Sequence, residues 1–257
     1  MTGREEGPVA PEISIILPTH NGASYLAASI QSCLNQTFGD FELIVVDDAS
    51  TDSTPRILEE FAAEPRVRIL RSEQNLKLPG ALNMGFSKSQ GRLLTWTSDD
   101  NLYEPGALEA LRAVFLERPG VDLVYADYSV IGPEGQLLRE HRCSEPDYLV
   151  ERNCVGACFL YRRSVMERVG TYETETFLAE DYDFFLRTFL AGFRMYHLRE
   201  VLYRYRVHEA SLGSTFGSAQ VDQVAEAVRR RHLKPWKREW VRLRRRVRKA
   251  MGLLTSS

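Results

Sequence analysis

Residues 41–52 read Phe-Glu-Leu-Ile-Val-Val-Asp-Asp-Ala-Ser-Thr-Asp. The aliphatic run from Leu43 to Val46 is rich in β-branched side chains and ends on turn-prone residues, which is how a strand buried in a parallel sheet reads. Upstream, residues 12–18 (Glu-Ile-Ser-Ile-Ile-Leu-Pro) repeat the pattern and end in Thr19-His20-Asn21. Tyr25, Leu26, Ile30, Cys33 and Leu34 follow Gly22 at helical spacing, and Ile57, Leu58 and Phe61 follow the turn-rich stretch after Asp47. Downstream the spacing predicts a strand over 67–70, a helix over 81–87, a strand over 92–97, a helix over 105–117 and a strand over 121–128. Such alternation indicates an α/β fold with a mainly parallel central sheet flanked by helices. Ligands of such sheets sit beyond the carboxyl ends of the strands, so the loops after the first, second and fourth strands are the candidate site.

The 257 residues, 44% hydrophobic and 26% charged, exclude a disordered chain, a collagen and a disulfide miniprotein. After the turn Gly132-Pro133-Glu134-Gly135 the alternation lapses until the strand-like Tyr203 to Val207, and no separate second domain is read. The expected organisation is an N-terminal extension over 1–11, one domain over 12–217 and a basic helical tail over 218–257. No apolar run approaches the length of a membrane span. Glu5 and Glu6 stand where an export signal would carry basic residues, so the expected location is cytoplasmic. Cys33, Cys143, Cys154 and Cys158 suit buried free thiols better than disulfides or a zinc site.

Asp47, Asp48, Asp99 and Asp100 all fall on the ligand edge, where they would repel one another unless a cation or hydrogen-bond donors sat among them. Few hard oxygen ligands suit Mg²⁺ or Mn²⁺ shared with substrate phosphates. Helix capping is the alternative, equally good for the Ser50 to Ser53 turn and weaker for the doubled charge of Asp99-Asp100-Asn101. The glycine loops of dinucleotide and P-loop enzymes are missing, as is the nucleophile elbow of α/β-hydrolases.

Thr19-His20-Asn21, the 41–52 stretch, Asn75-Leu-Lys77-Leu-Pro-Gly-Ala-Leu-Asn-Met-Gly85, Ser98-Asp-Asp-Asn101 and Glu180-Asp-Tyr-Asp-Phe-Phe-Leu-Arg187 together resemble the family 2 glycosyltransferases of the GT-A (nucleotide-diphospho-sugar transferase) fold. The likeness spans roughly residues 12–210 and is greatest to spore-coat and cell-surface polysaccharide transferases. It implies a metal-dependent, inverting transfer from a UDP- or dTDP-linked sugar to a saccharide or lipid-linked acceptor. Pro18, Thr19, His20 and Asn21 would line the nucleotide with Asp47, and Asp48 would accept a hydrogen bond from the base. Asn75 and Lys77 would approach the pyrophosphate, Lys77 standing where a glycine is usual. Asp99 would touch ribose or metal, Asp100 would be the principal ligand of Mn²⁺ or Mg²⁺, and His208 would lie near the pyrophosphate and the metal.

The resemblance places the catalytic base at Asp181, beside Glu180. Both also suit the positive end of the helix they open. His20 replaces a more frequent tyrosine, and Thr97 takes the place of the first aspartate of the longer DxDD motif. Arg162-Arg163 could face an anionic acceptor. Two other activities compete: a non-catalytic nucleotide-sugar or carbohydrate-binding module, and a sugar-phosphate nucleotidyltransferase, which ordinarily carries a glycine- and arginine-rich loop after the first strand.

The net charge of −2 conceals two unlike parts. From residue 229 onward twelve Lys/Arg face one acid, a charge of +11, which leaves 21 bases against 34 acids, or −13, for the rest. Trp236, Trp240, Leu243, Val247, Met251 and Leu254 recur along one face of a helix. Trp and Leu opposite a polybasic face suit an anionic membrane interface at the inner side of the plasma membrane. Docking on the acidic body or on another chain is the alternative, and no nucleic acid is expected.

Overall fold

The computed structural model describes residues 10–250. Its first half alternates as expected: β1 (Ile13–Thr19), α1 (Leu26–Leu34), β2 (Phe41–Asp48), α2 (Thr54–Glu59), β3 (Val67–Ser72), α3 (Lys77–Phe86) and β4 (Leu93–Trp96). The strands run parallel in the order β3-β2-β1-β4. Ile13, Ile15 and Leu17 of β1 pack with Leu26, Ile30 and Cys33 of α1 on one face. On the other, Ile16, Ile44 and Val46 meet Ala81, Leu82 and Phe86 of α3. Burial of each such side chain stabilises by about 1.5–3 kcal/mol. Covered faces explain why these runs are continuously aliphatic rather than alternating.

The second half is mixed. It contains β5 (Leu102–Tyr103), α4 (Ala107–Glu117), β6 (Leu123–Ile131), β7 (Leu137–His141), β8 (Cys158–Arg162), α5 (Arg163–Val169), α6 (Glu180–Leu190) and β9 (Met195–Arg206). The sheet continues β4-β8-β6-β9-β5, with β8 antiparallel to both neighbours, β9 parallel to β6, and β7 paired with β6. Short 3₁₀ turns occupy Pro146–Val150 and Thr174–Thr176. The sequence pattern locates only the end of β9, because the exposed Arg199 and Glu200 interrupt it and its pairing with β6 shifts register at Ala126/Asp127. β8 escapes notice because it passes straight into α5 with no turn residue between.

The chain closes with α7 (Leu212–His232), which departs from helical geometry at Gly217 (φ 74°), and α8 (Pro235–Ala250). Val228, Leu233 and Val241 join the core beneath α3 and α6, so this segment packs on the body. The apolar stripe is not what packs: Trp236, Trp240, Leu243 and Val247 are exposed. Met251 and Leu254 lie outside the described residues. All four cysteines are buried free thiols. Among the described residues no helix is long and apolar enough to cross a membrane.

Candidate active site

The parallel strands deliver their carboxyl ends to one edge, where a cleft of about 920 Å³ opens. Thr19 lies opposite Asp47 and Ile16 opposite Trp96, so the loops after β1, β2 and β4 converge there by register. Pro18, Thr19, His20, Asn21, Asp48, Asn75, Lys77, Asp99, Asp100, Glu180, Asp181 and His208 all line this cleft.

At one end, His20 Nδ1 donates to the Asp48 carbonyl (2.6 Å), and its Nε2 is left to accept from the Asn21 amide (3.2 Å). One neutral tautomer satisfies both. Asp48 is buried and its Oδ1 accepts the Leu76 N–H at 2.8 Å. Burial raises its carboxyl above the ordinary range, against that hydrogen bond and the nearby His20 and Lys77. Asn75 accepts from the Lys77 N–H. Lys77 itself has φ +63°, a left-handed conformation that glycine adopts freely. Glycine is therefore the unstrained residue at this position, and here the strain is accepted for a side chain that ends in the cleft. Asn21 (φ +57°) accepts the Thr51 N–H with its side-chain Oδ1 and so ties the first loop to the second.

Asp47 does not share in this surface. It is 1% exposed, accepts the Ser50 N–H and faces Arg71 at 3.6 Å. The capping alternative fits it, and it is not among the residues that line the cleft. Arg162 and Arg163 bond the carbonyls of Pro119, Val121 and Gly91, at the start of β4 rather than its carboxyl end, so they face no acceptor in the cleft. Thr97 is buried and bonds the Tyr203 hydroxyl at 2.6 Å, so the position of the first DxDD aspartate holds a hydroxyl already paired within the core.

At the floor, Thr19 Oγ1 donates to Asp99 Oδ2 at 2.5 Å. Burial, then the Asp100 charge, push the Asp99 carboxyl up to about 7, against the Thr19 hydrogen bond. Asp100 Oδ2 lies 3.0 Å from His208 Nε2, and burial raises this carboxyl too. Its other oxygen, Oδ1, is buried without a hydrogen-bond partner. An orphaned carboxylate oxygen among acids and an imidazole is a donor set that fits a divalent cation.

Sequence reasoning missed the part that holds this loop. Arg206, 6% exposed, donates its Nε to the Asp100 carbonyl and its Nη1 to Gly132 and Pro133, while its N–H reaches Asn101 Oδ1. Its guanidinium lies 4.5 Å over the Tyr25 ring, which in turn packs on His208. The available signal is an arginine two residues before His208 in strand β9.

Gly22 fits against the floor because it lacks a side chain: a Cβ there would lie 2.0 Å from Asp99 Oδ2 and 2.4 Å from Thr19 Oγ1. Gly22→Ala is expected to break the Thr19–Asp99 bond and turn the carboxylate away, destabilising by about 1–3 kcal/mol and impairing nucleotide binding. Thermal melting and nucleotide titration check this; an unchanged affinity would show that Asp99 does not need this position.

At the far end, Leu178 (φ +82°) bends the chain into α6, and its N–H bonds Glu180 Oε2 at 2.8 Å. Asp181 Oδ2 accepts from the Asn153 amide (2.8 Å), a residue that sequence reading did not single out. Burial, then the charge of Asp181, push Glu180 up to about 8; burial likewise raises Asp181, against hydrogen bonds from Tyr182 and Asn153. The pair therefore holds protons to a higher pH than two solvated carboxylates would.

A second cluster, Asp127, Cys143 and His197, lies outside the cleft lining. Asp127 Oδ1 already accepts from the Cys143 N–H and from His197 Nε2, and burial pushes the Cys143 thiol up to about 12. It is a closed polar knot with a protonated thiol.

A parallel half-sheet gathers carboxylates around a cleft at its carboxyl edge, and a mixed half adds a second acidic pair, the arrangement expected of the GT-A glycosyltransferases that the sequence resembles. The comparisons agree. Residues 14–170 match the model of Glycosyl transferase family 2, and residues 95–257 match that of Glycosyl transferase family group 2. The chain is 32% identical over 216 residues to the putative glycosyltransferase EpsE of Bacillus subtilis, covering 76% of this chain and 73% of that protein. It is 35% identical over 183 residues to a PGL/p-HBAD biosynthesis glycosyltransferase of Mycobacterium tuberculosis, covering 70% of each. Its fold is similar to S. aureus TarS 1–349 in complex with UDP (TM-score 0.67, 20% identity), with 84% of this chain aligned to 65% of that one. The same fragment in complex with UDP-GlcNAc aligns with a TM-score of 0.68 at 19% identity, over 84% of this chain and 66% of that one. The chain belongs to Glycosyl transferase family 2 and is a glycosyltransferase. The nucleotidyltransferase and binding-module alternatives lose their support.

Proposed function

We propose that this enzyme transfers a sugar from a UDP- or dTDP-linked donor to a saccharide or lipid-linked acceptor in cell-surface polysaccharide synthesis, on the cytoplasmic side, with inversion at the anomeric carbon. The observation that carries the reading is the buried, unpartnered Oδ1 of Asp100 at the floor of a cleft whose other end holds Asp181. The nucleotide lies along Pro18, Thr19 and His20, with Asp48 accepting from the base. Lys77 reaches the diphosphate. Asp100, with Asp99 and His208 beside it, would hold Mn²⁺ or Mg²⁺, which when bound would supply Lewis-acid neutralisation of the departing diphosphate.

Asp181 takes the proton of the acceptor hydroxyl. As the hydroxyl oxygen bonds the anomeric carbon from the face opposite the diphosphate, the carbon–phosphate-oxygen bond breaks and the electron pair leaves with the nucleoside diphosphate. Burial raises the Glu180 carboxyl, which disfavours a second negative charge beside Asp181. Asn153 orients the accepting oxygen. Two relatives bear on the reading: TarS was crystallised with UDP and UDP-GlcNAc, and the mycobacterial relative is named for PGL/p-HBAD biosynthesis.

Thermal melting with a panel of nucleotides and nucleotide sugars, with and without Mn²⁺, tests the donor. A uridine or thymidine diphosphate at a hundred times its Kd should stabilise the protein by about 2.7 kcal/mol, and only with the metal. Equal stabilisation by purine nucleotides overturns the base assignment. Equal stabilisation without metal overturns the cation's role. An inverted product anomer, read by NMR, checks the stereochemistry.

A further inference from the structure

α8 meets the body with one side and turns its apolar stripe the other way. Val241 is buried, Arg242 and Arg245 both bond Glu151 Oε1 (3.2 and 2.8 Å), and the Arg245 guanidinium lies 4.0 Å over the Tyr148 ring. Burial would raise the Glu151 carboxyl, but these two arginines hold it below the ordinary range. Arg229 adds a hydrogen bond to the Glu151 carbonyl. In a helix of 3.6 residues per turn, positions 236, 240, 243 and 247 fall nearly opposite 241 and 245. Accordingly Trp236 is 67% exposed, Trp240 55%, Leu243 60% and Val247 49%. No other element among the described residues exposes more than two large apolar side chains.

We propose that α8 is an interfacial helix, clipped to the body through Glu151, whose Trp236-Trp240-Leu243-Val247 stripe enters the headgroup region of an anionic lipid surface. Charge selects this occupant. The segment from residue 229 carries +11 against −13 for the rest of the chain, so a second copy would bring its own +11 helix to the same face or lay an apolar stripe on an acidic surface. An anionic bilayer complements both halves of the pattern, taking Trp and Leu into the boundary layer and attracting Arg and Lys at the headgroups. Arg246, beside the stripe, is exposed. The clip also has a place relative to the chemistry: two residues after Glu151, Asn153 enters the cleft to bond Asp181. The lipid surface thus adjoins the segment that serves the acceptor end. That last link alone rests on the proposed reaction.

The full chain is to be sedimented with sucrose-loaded phosphatidylcholine vesicles, with and without phosphatidylglycerol. The comparison protein is the triple variant Trp236→Ser, Leu243→Ser, Val247→Ser, whose exposed positions leave melting unchanged. Wild type should bind the anionic vesicles at least about tenfold more tightly than neutral ones, and the variant should lose at least about tenfold of that affinity. In wild type, brominated lipids should quench the tryptophan fluorescence. Equal binding by variant and wild type, or no quenching, overturns the insertion of the stripe. A variant that leaves lipid binding alone but changes the sedimentation coefficient of the free protein assigns the stripe to a second copy instead. Donor hydrolysis without vesicles should be equal in both proteins, which separates a failure of lipid contact from a failure of the glycosyltransferase reading.

Discussion

Asp100→Ala should lower sugar transfer by about a thousandfold or more while leaving the protein at least as stable without ligand. The two halves of this expectation have one cause. The Asp100 carboxylate is half-buried, its buried Oδ1 has no hydrogen-bond partner, and burial raises its proton affinity. A buried charge lacking full compensation costs folding free energy. Removing it relieves that cost, against the loss of one hydrogen bond to His208, worth about 1 kcal/mol. The backbone of the loop should stay in place, because Arg206 grips the Asp100 carbonyl rather than its side chain. What disappears is the oxygen that fits a cation. Uridine diphosphate should therefore still bind weakly, along Pro18 to His20 and Asp48, but Mn²⁺ should no longer improve its affinity. Isothermal titration with and without Mn²⁺ reads this directly. Retained metal enhancement would show that the ligands lie elsewhere, and a collapse of the melting temperature would show that the side chain is structural.

Much of that site could be read before any coordinates. Parallel strands must be aliphatic and must end where the chain turns into solvent, so runs such as Leu43 to Val46 locate both the sheet and its ligand edge. Register then does what sequence cannot state outright: Thr19 opposite Asp47 and Ile16 opposite Trp96 bring loops some thirty to eighty residues apart to one floor. Two neighbouring aspartates at the end of β2 have opposite fates, because successive residues of a strand point to opposite faces. Asp47 turns to Ser50 and Arg71, whereas Asp48 faces the cleft and takes the Leu76 N–H. Adjacency in the sequence does not reveal which parity wins.

The mixed half was less legible for a related reason. β8 and the early part of β9 carry no turn punctuation, and their partners are set by tertiary pairing with β6. Asn153 precedes β8 and Arg206 ends β9, and they hold Asp181 and Asp100 in place from there. Their chemistry is hydrogen bonding to a distant loop, and nothing local announces it. The tail illustrates the converse. Its helical stripe is plain in the sequence, but which side of the helix meets the body depends on Glu151 and Tyr148, some ninety residues earlier.

Asp181→Asn should lower kcat by about 10²–10⁴ and leave metal-dependent nucleotide binding as in wild type. The contrast with Asp100→Ala separates the two ends of the cleft. Asparagine keeps the shape and one accepting oxygen, so the Tyr182 N–H can remain satisfied, and loss of a buried charge offsets a misdirected amide facing Asn153. Only the ability to take a proton is removed. The pH dependence carries the same sign. Burial raises Asp181, so in wild type kcat/KM should fall on acidification at pH values above those of an ordinary carboxylate, as the base becomes protonated. Burial and the charge of Asp181 raise Glu180 as well, which disfavours it as the base at neutrality. Glu180→Gln should therefore retain most activity and leave the acid limb in place, because burial rather than the Glu180 charge raises Asp181. A Glu180→Gln enzyme as inactive as Asp181→Asn would transfer the base to Glu180. An acid limb at the usual carboxylate position would mean that Asp181 is solvated in the working enzyme, and that the hydroxyl loses its proton to another group.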